Sequence, residues 1–135
     1  MKKILVLTPF PKNVAASQRL KFEQFYNSWK NSGYVIHTHS FYSLKVWKIF
    51  FEKNFIIAKI ISTIFGILNR IKILFEVRKY DIIFLHMWGT PIGLPIYEFF
   101  LILFSKKVIY DFDDCIYLKT RHFFSKSYKA NFLIK

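Results

Sequence analysis

Four stretches of apolar, often β-branched residues recur along the chain, and each predicts a buried strand. They are KILVLTPF at 3–10, YVIHTHSFY at 34–42, YDIIFLHMW at 80–88 and KVIYDF at 107–112. Their apolar residues run on with little polar alternation, which is typical of strands covered on both faces. Between them lie segments in which apolar residues recur three and four positions apart, the period of a helix.

The first helical segment is predicted over 17–33, between the first two strands. Ser17 is predicted to cap its N-terminus, and Gly33 is predicted to end it. Four aromatic residues share one face of this helix at the spacing i, i+3, i+4, i+7, namely Phe22, Phe25, Tyr26 and Trp29. The segment is therefore expected to be an amphipathic helix.

The middle of the chain, roughly 44–79, is apolar and studded with lysine. It carries eight Lys and Arg residues and only two acidic ones. We predict two helices here, with a break near Asn54 or Gly66, because both positions interrupt the helical pattern.

Strands and helices alternate along the chain, since a further helix is predicted over 94–105 and the remainder, 113–135, is predicted to be helical in part. This order predicts an α/β fold: a parallel, Rossmann-like sheet of about four strands, flanked by helices and joined by right-handed crossovers. In such sheets ligands bind outside the carboxyl ends of the strands. Neither GxGxxG after the first strand nor GxxxxGK[ST] is present, which argues against a dinucleotide or P-loop site.

Length and cysteine content narrow the class of protein. A chain of 135 residues, 53% hydrophobic, suits one folded domain and is not a disordered chain. The single cysteine, Cys115, rules out an internal disulfide, and no Cys/His cluster has zinc-site spacing.

The N-terminus lacks a secretory apolar region and cleavage site. The apolar run 55–68 is 14 residues long, too short to span a bilayer, so a cytoplasmic location is expected.

The basic excess of the chain has two explanations. With 21 Lys and Arg against 8 Asp and Glu, the net charge is +13, as in proteins that bind nucleic acid or anionic membranes. However, 17 of the basic residues are lysine, and Ile, Phe, Asn and Tyr are also abundant, which is the pattern of AT-rich codons. Charge alone therefore predicts no nucleic-acid partner.

Ser17 and Arg19 begin the first predicted helix, after the loop that leaves the first strand. A helix N-terminus exposes free N–H groups and the positive end of the dipole, which suits an anion. Arg19 opposes that dipole, and a nearby phosphate or carboxylate would explain its presence. The alternative is a solvated arginine, or one paired with Asp113 or Asp114, and both interpretations remain open.

Histidines lie on two of the predicted strands. His86 ends the third strand, where a neutral imidazole could deprotonate a hydroxyl or hydrogen-bond a sugar. The alternative is a histidine satisfied by nearby backbone, with Trp88 packed over it. His37 and His39 share a face of the second strand, but no third metal ligand is evident, so they are expected to be structural.

Three of the eight acidic residues, Asp111, Asp113 and Asp114, lie within four positions after the fourth strand. This D-x-D resembles the first motif of haloacid-dehalogenase-type phosphatases, with Asp111 as nucleophile and Asp113 as acid/base, but Cys115 stands where that motif has Thr or Val. D-x-D also binds manganese in one class of sugar-nucleotide transferases with a different strand pattern. In a third interpretation Asp114 caps a helix beginning at Cys115, and Asp113 pairs with a cation.

The lysine-studded helices predicted over 44–79 suit an anionic membrane surface, with their apolar faces partly in the headgroup region. The alternative is a helix packed on the sheet with a solvated lysine face.

Four segments stand in order along roughly residues 3–118: ILVLTPFP…ASQRLKFEQF, GYVIHTHSFYS, YDIIFLHMWGTPIGLPIYE and KKVIYDFDDCIYL. The helix start S-x-R-x-x-F-E and the run V-I-Y-D-F-D-D-x-I are the more specific of their patterns. Together the segments resemble the N-terminal domain of GT-B-fold glycosyltransferases of the group 1, family 4 type. Many bacterial members that act in cell-surface polysaccharide synthesis are similar there.

The resemblance implies a two-domain, retaining, metal-independent transferase without a cofactor. Its N-terminal domain holds a glycan or lipid-linked acceptor, and its C-terminal domain holds the nucleotide-sugar. By position, Ser17 and Arg19 match the loop that faces the donor phosphates, and His86, the catalytic candidate, matches a polar residue that faces the acceptor. Asp113 and Asp114 match the acidic pair of this subgroup and count with the substrate-binding candidates.

The chain also departs from the family. The first loop, TPFPKNVAAS, lacks the glycines that many members use to approach the donor. Residues 1–135 are expected to be a single, incomplete domain of this type, because the donor-binding domain has no counterpart in them. Alone, the chain is not expected to catalyse transfer. The alternative is a small basic α/β module that binds a membrane or a protein partner without catalysis.

Overall fold

Four strands and five α-helices alternate along residues 1–52, 54–92 and 94–111, which the computed structural model describes. In chain order these are β1 (Lys2–Thr8), α1 (Ala16–Lys21), α2 (Tyr26–Asn31), β2 (Tyr34–Ser40), α3 (Leu44–Ile49), α4 (Ile56–Glu76), β3 (Ile82–His86), α5 (Ile96–Phe104) and β4 (Val108–Asp111). Two single-turn 3-10 helices add to them, Glu23–Phe25 before α2 and Val77–Lys79 after α4.

The four strands form one parallel sheet in the order β2-β1-β3-β4. β1 pairs with β2 along its whole length, ending with Thr8 opposite Ser40. On its other side β1 pairs with β3, and β3 pairs with β4, ending with His86 opposite Asp111. The predicted α/β class, with a parallel, Rossmann-like sheet of about four strands flanked by helices, is confirmed.

Alternating side chains of β1 serve the two faces of the sheet. Leu5 and Leu7 join one core cluster, which is completed by Ile73 of α4, Val77 of the following 3-10 helix, and Tyr97 and Leu101 of α5. Ile4 and Val6 join a second cluster on the opposite face, with Phe22 and Tyr26. Because β1 is covered on both sides, its central positions from Ile4 to Leu7 are all apolar, and this explains its unbroken apolar run.

The helix predicted over 17–33 consists of three short pieces. α1 ends where the backbone of Phe22 leaves the helical region, with φ −141° and ψ −28°. The ring of Phe22 is fully buried against the sheet, beside Phe84. Gly33 adopts a φ of +85° after the last turn, so the prediction that it ends the helical segment is confirmed.

The predicted capping role of Ser17 is wrong. α1 begins at Ala16, and the N-cap position is Ala15, in extended backbone and without a side-chain hydrogen bond to the helix. Ala15 is buried, and Gln18 is tied into the preceding loop. The packing of that loop therefore sets where the helix begins, and Ser17 lies one residue inside it.

The two helices predicted in the middle of the chain are confirmed, with their break at the predicted Asn54. The hydroxyl oxygen of Ser43 caps α3 by accepting a hydrogen bond from the N–H of Val46 at 3.4 Å. Gly66, the other predicted break, lies inside α4. A Cβ at Gly66 would stand 2.6 Å from the Phe41 ring, so glycine is placed there by close packing and does not end the helix.

The remaining sequence predictions concern where β1 ends, the segment 113–135, and membrane-spanning helices. β1 stops at Thr8, directly before Pro9, which has no N–H for the ladder. The remainder, 113–135, with the predicted helix cap at Asp114, lies outside the described residues. Within the described ranges no helix is both long and apolar enough to cross a membrane.

Candidate functional site

The carboxyl ends of all four strands lie at one edge of the sheet, because the strands are parallel. Thr8, Ser40, His86 and Asp111 mark these ends from β1 to β4 in chain order. This edge is where open parallel sheets bind ligands. The polar residues that follow the strands are therefore the ones whose geometry decides what the site can do.

His86 and Asp111 form a hydrogen-bonded pair at this edge. Nδ1 of His86 lies 2.7 Å from Oδ2 of Asp111, across the last register pair of β3 and β4. The other carboxylate oxygen, Oδ1, lies 3.5 Å from Nζ of Lys21 at the end of α1. The sheet thus brings together an imidazole, a carboxylate and an ammonium group from three separate elements.

The members of this cluster differ in exposure. The His86 side chain is fully buried, with the Phe22 ring 5.0 Å from its own ring centre. The side chains of Asp111 and Lys21 are 27% and 34% exposed. A solvent-borne ligand therefore meets the carboxylate and the ammonium group, while the imidazole lies behind them. The catalytic role of His86 stays a prediction.

A histidine held by a carboxylate at Nδ1 has a defined ring orientation, since that contact fixes how the imidazole is turned. The same arrangement supports general-base chemistry where the other nitrogen can reach a substrate. Here the buried imidazole instead fixes the position of Asp111, so Asp111 is, among the described residues, the acidic group of this edge best placed to contact a ligand.

The loop after β3 is shaped by backbone hydrogen bonds to β4. Met87 adopts a left-handed conformation with φ +63°, which is uncommon for a residue other than glycine. Its N–H donates to the carbonyl oxygen of Asp111 at 2.9 Å, and its own carbonyl oxygen accepts from the Tyr110 hydroxyl at 2.9 Å. These bonds hold the loop close to the end of β4.

Arg70, on α4, joins the ends of three strands. Its Nη2 donates to the carbonyl oxygen of Thr8 at 2.8 Å, and its Nη1 donates to that of His39 at 3.4 Å. Its Nε donates to the carbonyl oxygen of Gly89, beyond β3, at 3.1 Å. The residue is 1% exposed, and burial lowers the pKa of Arg70 from its usual 12.5 to about 10, so it is charged at neutral pH.

Glu98, on α5, completes this arrangement. Its buried carboxylate accepts a hydrogen bond from the N–H of Gly89 at 2.7 Å, so Gly89 is held by Glu98 and Arg70 at once. A Cβ at Gly89 would lie 2.2 Å from the Tyr97 ring, and glycine is needed for this approach. Tyr97 and Glu98 act against the effect of burial on Arg70, since both raise the pKa of its guanidinium.

Arg70 and Glu98 were missed by the sequence analysis. A signal was present, because each occupies a helix position that the apolar period assigns to the core: Arg70 lies three residues before Ile73, and Glu98 three before Leu101. A charged residue at a core position indicates a buried hydrogen-bond role.

Buried side chains also organise the loop after β1. The amide of Gln18 accepts from the N–H of Phe10 at 3.1 Å and donates to its carbonyl oxygen at 3.0 Å. Glu23 accepts from the N–H of Asn13 at 2.9 Å, where the backbone is left-handed with φ +68°. This loop therefore has a defined shape without the glycines that the family resemblance led us to expect.

The structure places Ser17 and Arg19 on α1, the helix that ends with Lys21. Ser17 is half-buried, and Arg19 is exposed and forms no ion pair with any residue in the ranges 1–52, 54–92 and 94–111. It is Lys21, two residues later, that meets the acidic group of β4. The predicted candidates Asp113 and Asp114, and the predicted pairing of Arg19 with either, lie outside the described residues.

His37 and His39 lie on the edge strand β2, away from the pair at the ends of β3 and β4. Nδ1 of His37 is 2.9 Å from the Tyr80 hydroxyl. Partial burial and the neighbouring Arg70 guanidinium lower the pKa of His39, and His39 lines a cleft of about 310 Å³ between β2 and α4. Among the described residues, no group of three or more His, Cys, Asp or Glu side chains is arranged to hold a metal ion.

Comparison with known proteins yields no relative: no family model, no curated protein and no solved structure matches this chain.

Proposed function

We propose that this chain is the acceptor-side domain of a glycosyltransferase that moves a sugar from a nucleotide-sugar to a lipid-linked acceptor or to a glycan that becomes part of a cell-surface polysaccharide. Two lines support the proposal. Four sequence segments resemble the N-terminal domain of GT-B enzymes in the same order, and the chain folds as a parallel sheet with helices on both faces. The chain alone would bind an acceptor and would not transfer sugar.

The observation that carries the proposal is the cluster at the carboxyl edge, where Asp111 is held by His86 at 2.7 Å and approached by Lys21 at 3.5 Å. A carboxylate that is partly exposed and fixed in position suits hydrogen bonds to sugar hydroxyl groups, and the ammonium group suits a phosphate of a lipid-linked acceptor. Both groups lie at the same edge of the sheet as the loop after β1.

The proposed place of action is the cytoplasmic side of the membrane, where the enzyme would meet its acceptor peripherally. Lipid-linked acceptors present their sugars at a bilayer surface, so a domain that binds them must work close to it. Binding to a membrane is tested separately from sugar transfer, by vesicle co-sedimentation.

Transfer is tested with the gene product in which the chain continues into a donor-binding domain. Reading the coding DNA beyond Lys135 comes first, and a second α/β domain in an adjacent frame is expected. The purified product is then incubated with radiolabelled nucleotide-sugars and a lipid extract, with and without EDTA. The expected result is label in the lipid or polysaccharide fraction that EDTA does not abolish.

Two variants test whether transfer depends on Asp111. Asp111→Asn is expected to lower transfer by about tenfold or more, since it removes a charged hydrogen-bond acceptor, whereas Asp81→Asn, at the opposite edge of the sheet, is expected to leave it unchanged. Flanking DNA without a second domain, together with no transfer from any donor, would overturn the proposal. Tight binding of a nucleotide-sugar by the 135-residue chain alone would contradict its assignment to the acceptor side.

A further inference from the structure

The outward face of α4 is apolar, although this helix lies on the surface. Its inward positions Gly66, Arg70 and Ile73 are buried. The large apolar side chains on its outward face are exposed by between 45% and 83%, and they include Ile57, Ile61, Ile64, Phe65, Ile71 and Phe75. A helix that faces water normally carries polar residues there, so this face is suited to contact with something other than water.

The neighbouring helix α5 extends this apolar face. α4 and α5 pack on the same side of the sheet and share one core cluster. The outward side chains of α5 are exposed by 58% to 63% at Ile96, Phe99, Ile102 and Leu103. We call the outward residues of the two helices the α4–α5 surface. Because it spans two adjacent helices, it is larger than the scattered apolar residues of an ordinary protein surface.

The segment that carries α4 and α5 is basic. Residues 44–107 hold ten Lys and Arg against four Asp and Glu. Three of these acids are already engaged, since Glu98 is buried against Gly89, Asp81 pairs with Lys106 at 3.1 Å, and Glu76 lies 3.9 Å from Nζ of Lys79. At the border of the surface the guanidinium of Arg78 lies 5.8 Å from the Phe104 ring centre.

The combination of an apolar face with a basic border selects one kind of partner. An anionic bilayer offers an apolar layer directly beneath a layer of phosphates, which matches the face and its border at once. A protein partner or a second copy of this strongly basic chain would have to supply matching negative charge around an apolar centre. Within the described residues no helix can span a bilayer, so the helices would lie in its surface.

We propose that the α4–α5 surface docks this protein on an anionic lipid bilayer, with the isoleucine and phenylalanine side chains in the headgroup region and exposed basic side chains such as Arg78 on lipid phosphates. α4 and α5 then lie parallel to the bilayer. The inference stands on exposure and charge alone and does not depend on sugar transfer.

Vesicle co-sedimentation of the full chain tests the docking. Vesicles of phosphatidylcholine alone are compared with vesicles in which about a third of the lipid is phosphatidylglycerol. Binding is expected to be at least about tenfold stronger with phosphatidylglycerol and to weaken as salt is raised. The double variant Phe65→Glu/Phe99→Glu is expected to lose that binding by about tenfold or more, because it places charge in the apolar layer.

The matched control is Leu20→Glu. Leu20 is 70% exposed on α1, which lies on the opposite side of the sheet, so this variant is expected to bind vesicles as the wild type does. All three altered residues are exposed, and circular dichroism and thermal melts should show an unchanged fold. Equal binding of the wild type and the double variant would overturn the proposal. Failure of the wild type to bind either kind of vesicle would also overturn it. So would the finding that the wild type forms a dimer that salt does not weaken and that the double variant does not form, because the surface would then join two copies of the chain.

Discussion

Arg70 donates from Nη2 to the carbonyl oxygen of Thr8 at 2.8 Å, across 62 positions of sequence. With its bonds to His39 and Gly89, this one guanidinium ties the end of β1 to the end of β2 and to the loop after β3. The candidate site lies on the same edge of the sheet. The stability of that edge therefore depends on a buried charge carried by a helix.

Replacing Arg70 by methionine is expected to destabilise the protein strongly. Methionine fills much of the same volume but leaves three carbonyl oxygens without this donor, and each lost charged hydrogen bond is worth about 1.5–3 kcal/mol. We expect a loss of about 3 kcal/mol or more, measured as a lower urea midpoint with an unchanged slope. Arg19→Met, at an exposed position, is the control and should change the midpoint little. Equal effects of the two variants would contradict the role assigned to Arg70.

Gly66→Ala is expected to destabilise the protein, although a glycine-to-alanine substitution inside a helix usually stabilises it. In a helix interior alanine is ordinarily more stable than glycine by about 1 kcal/mol. Here the new Cβ would stand 2.6 Å from the Phe41 ring, and such overpacking costs about 1–3 kcal/mol. The melting temperature is therefore expected to fall.

A double-mutant cycle with Phe41→Leu separates the two contributions to the Gly66→Ala effect. Leucine removes the ring that the new methyl group meets, so Gly66→Ala should be less harmful, or stabilising, in that background. A rise in the melting temperature of Gly66→Ala alone would show that α4 does not pack on Phe41 as described.

Asp111→Asn tests the His86–Asp111 pair in the folded chain. The substitution preserves shape but removes the charge that His86 meets at 2.7 Å, and a hydrogen bond to a charged group is worth about 1.5–3 kcal/mol. We expect a loss of stability of that order, seen in the urea midpoint. Lys21→Met, which removes only the partly exposed ammonium group, should cost less than about 1 kcal/mol. The opposite order of the two losses would argue against a pair built on His86.

High pH is expected to weaken the fold through Tyr97. Burial raises the pKa of Tyr97 from its usual 10.0 to about 12. A phenol whose pKa is raised by folding stabilises the folded state fully below pH 10, and this contribution is lost as the pH rises through 12. The loss is about 2–3 kcal/mol for a shift of this size. Tyr26, whose pKa burial also raises to about 12, adds to the same effect.

Urea midpoints measured near neutral pH and at a pH of about 11 test the contribution of Tyr97. Tyr97→Phe should lose less stability than the wild type between these two conditions. Near neutral pH the substitution should be almost neutral, because the Tyr97 hydroxyl has no hydrogen-bond partner among the described residues. An unchanged pH dependence in the variant would show that Tyr97 ionises like an exposed phenol.

Much of the fold followed from local patterns. The unbroken apolar runs identified all four strands, and their alternation with helical periods predicted a parallel sheet. Asn54 marked the break between α3 and α4, and Gly33 marked the end of the first helical segment, because both positions act through backbone conformation within a few residues. The start of α1 did not follow, because the buried contacts of Ala15 and Gln18 replaced the cap predicted at Ser17.

The candidate site depended on tertiary structure to a greater degree. The sequence by itself determined that His86 and Asp111 end strands, and that polar residues gather at the carboxyl edge. Only the pairing of β3 with β4 placed these two side chains 2.7 Å apart, and only the packing of α4 carried Arg70 to three strand ends. Local patterns report the conformation of neighbouring residues. Contacts between distant residues depend on which strands pair and which helix faces turn inward, and these are settled by the packing of the whole core.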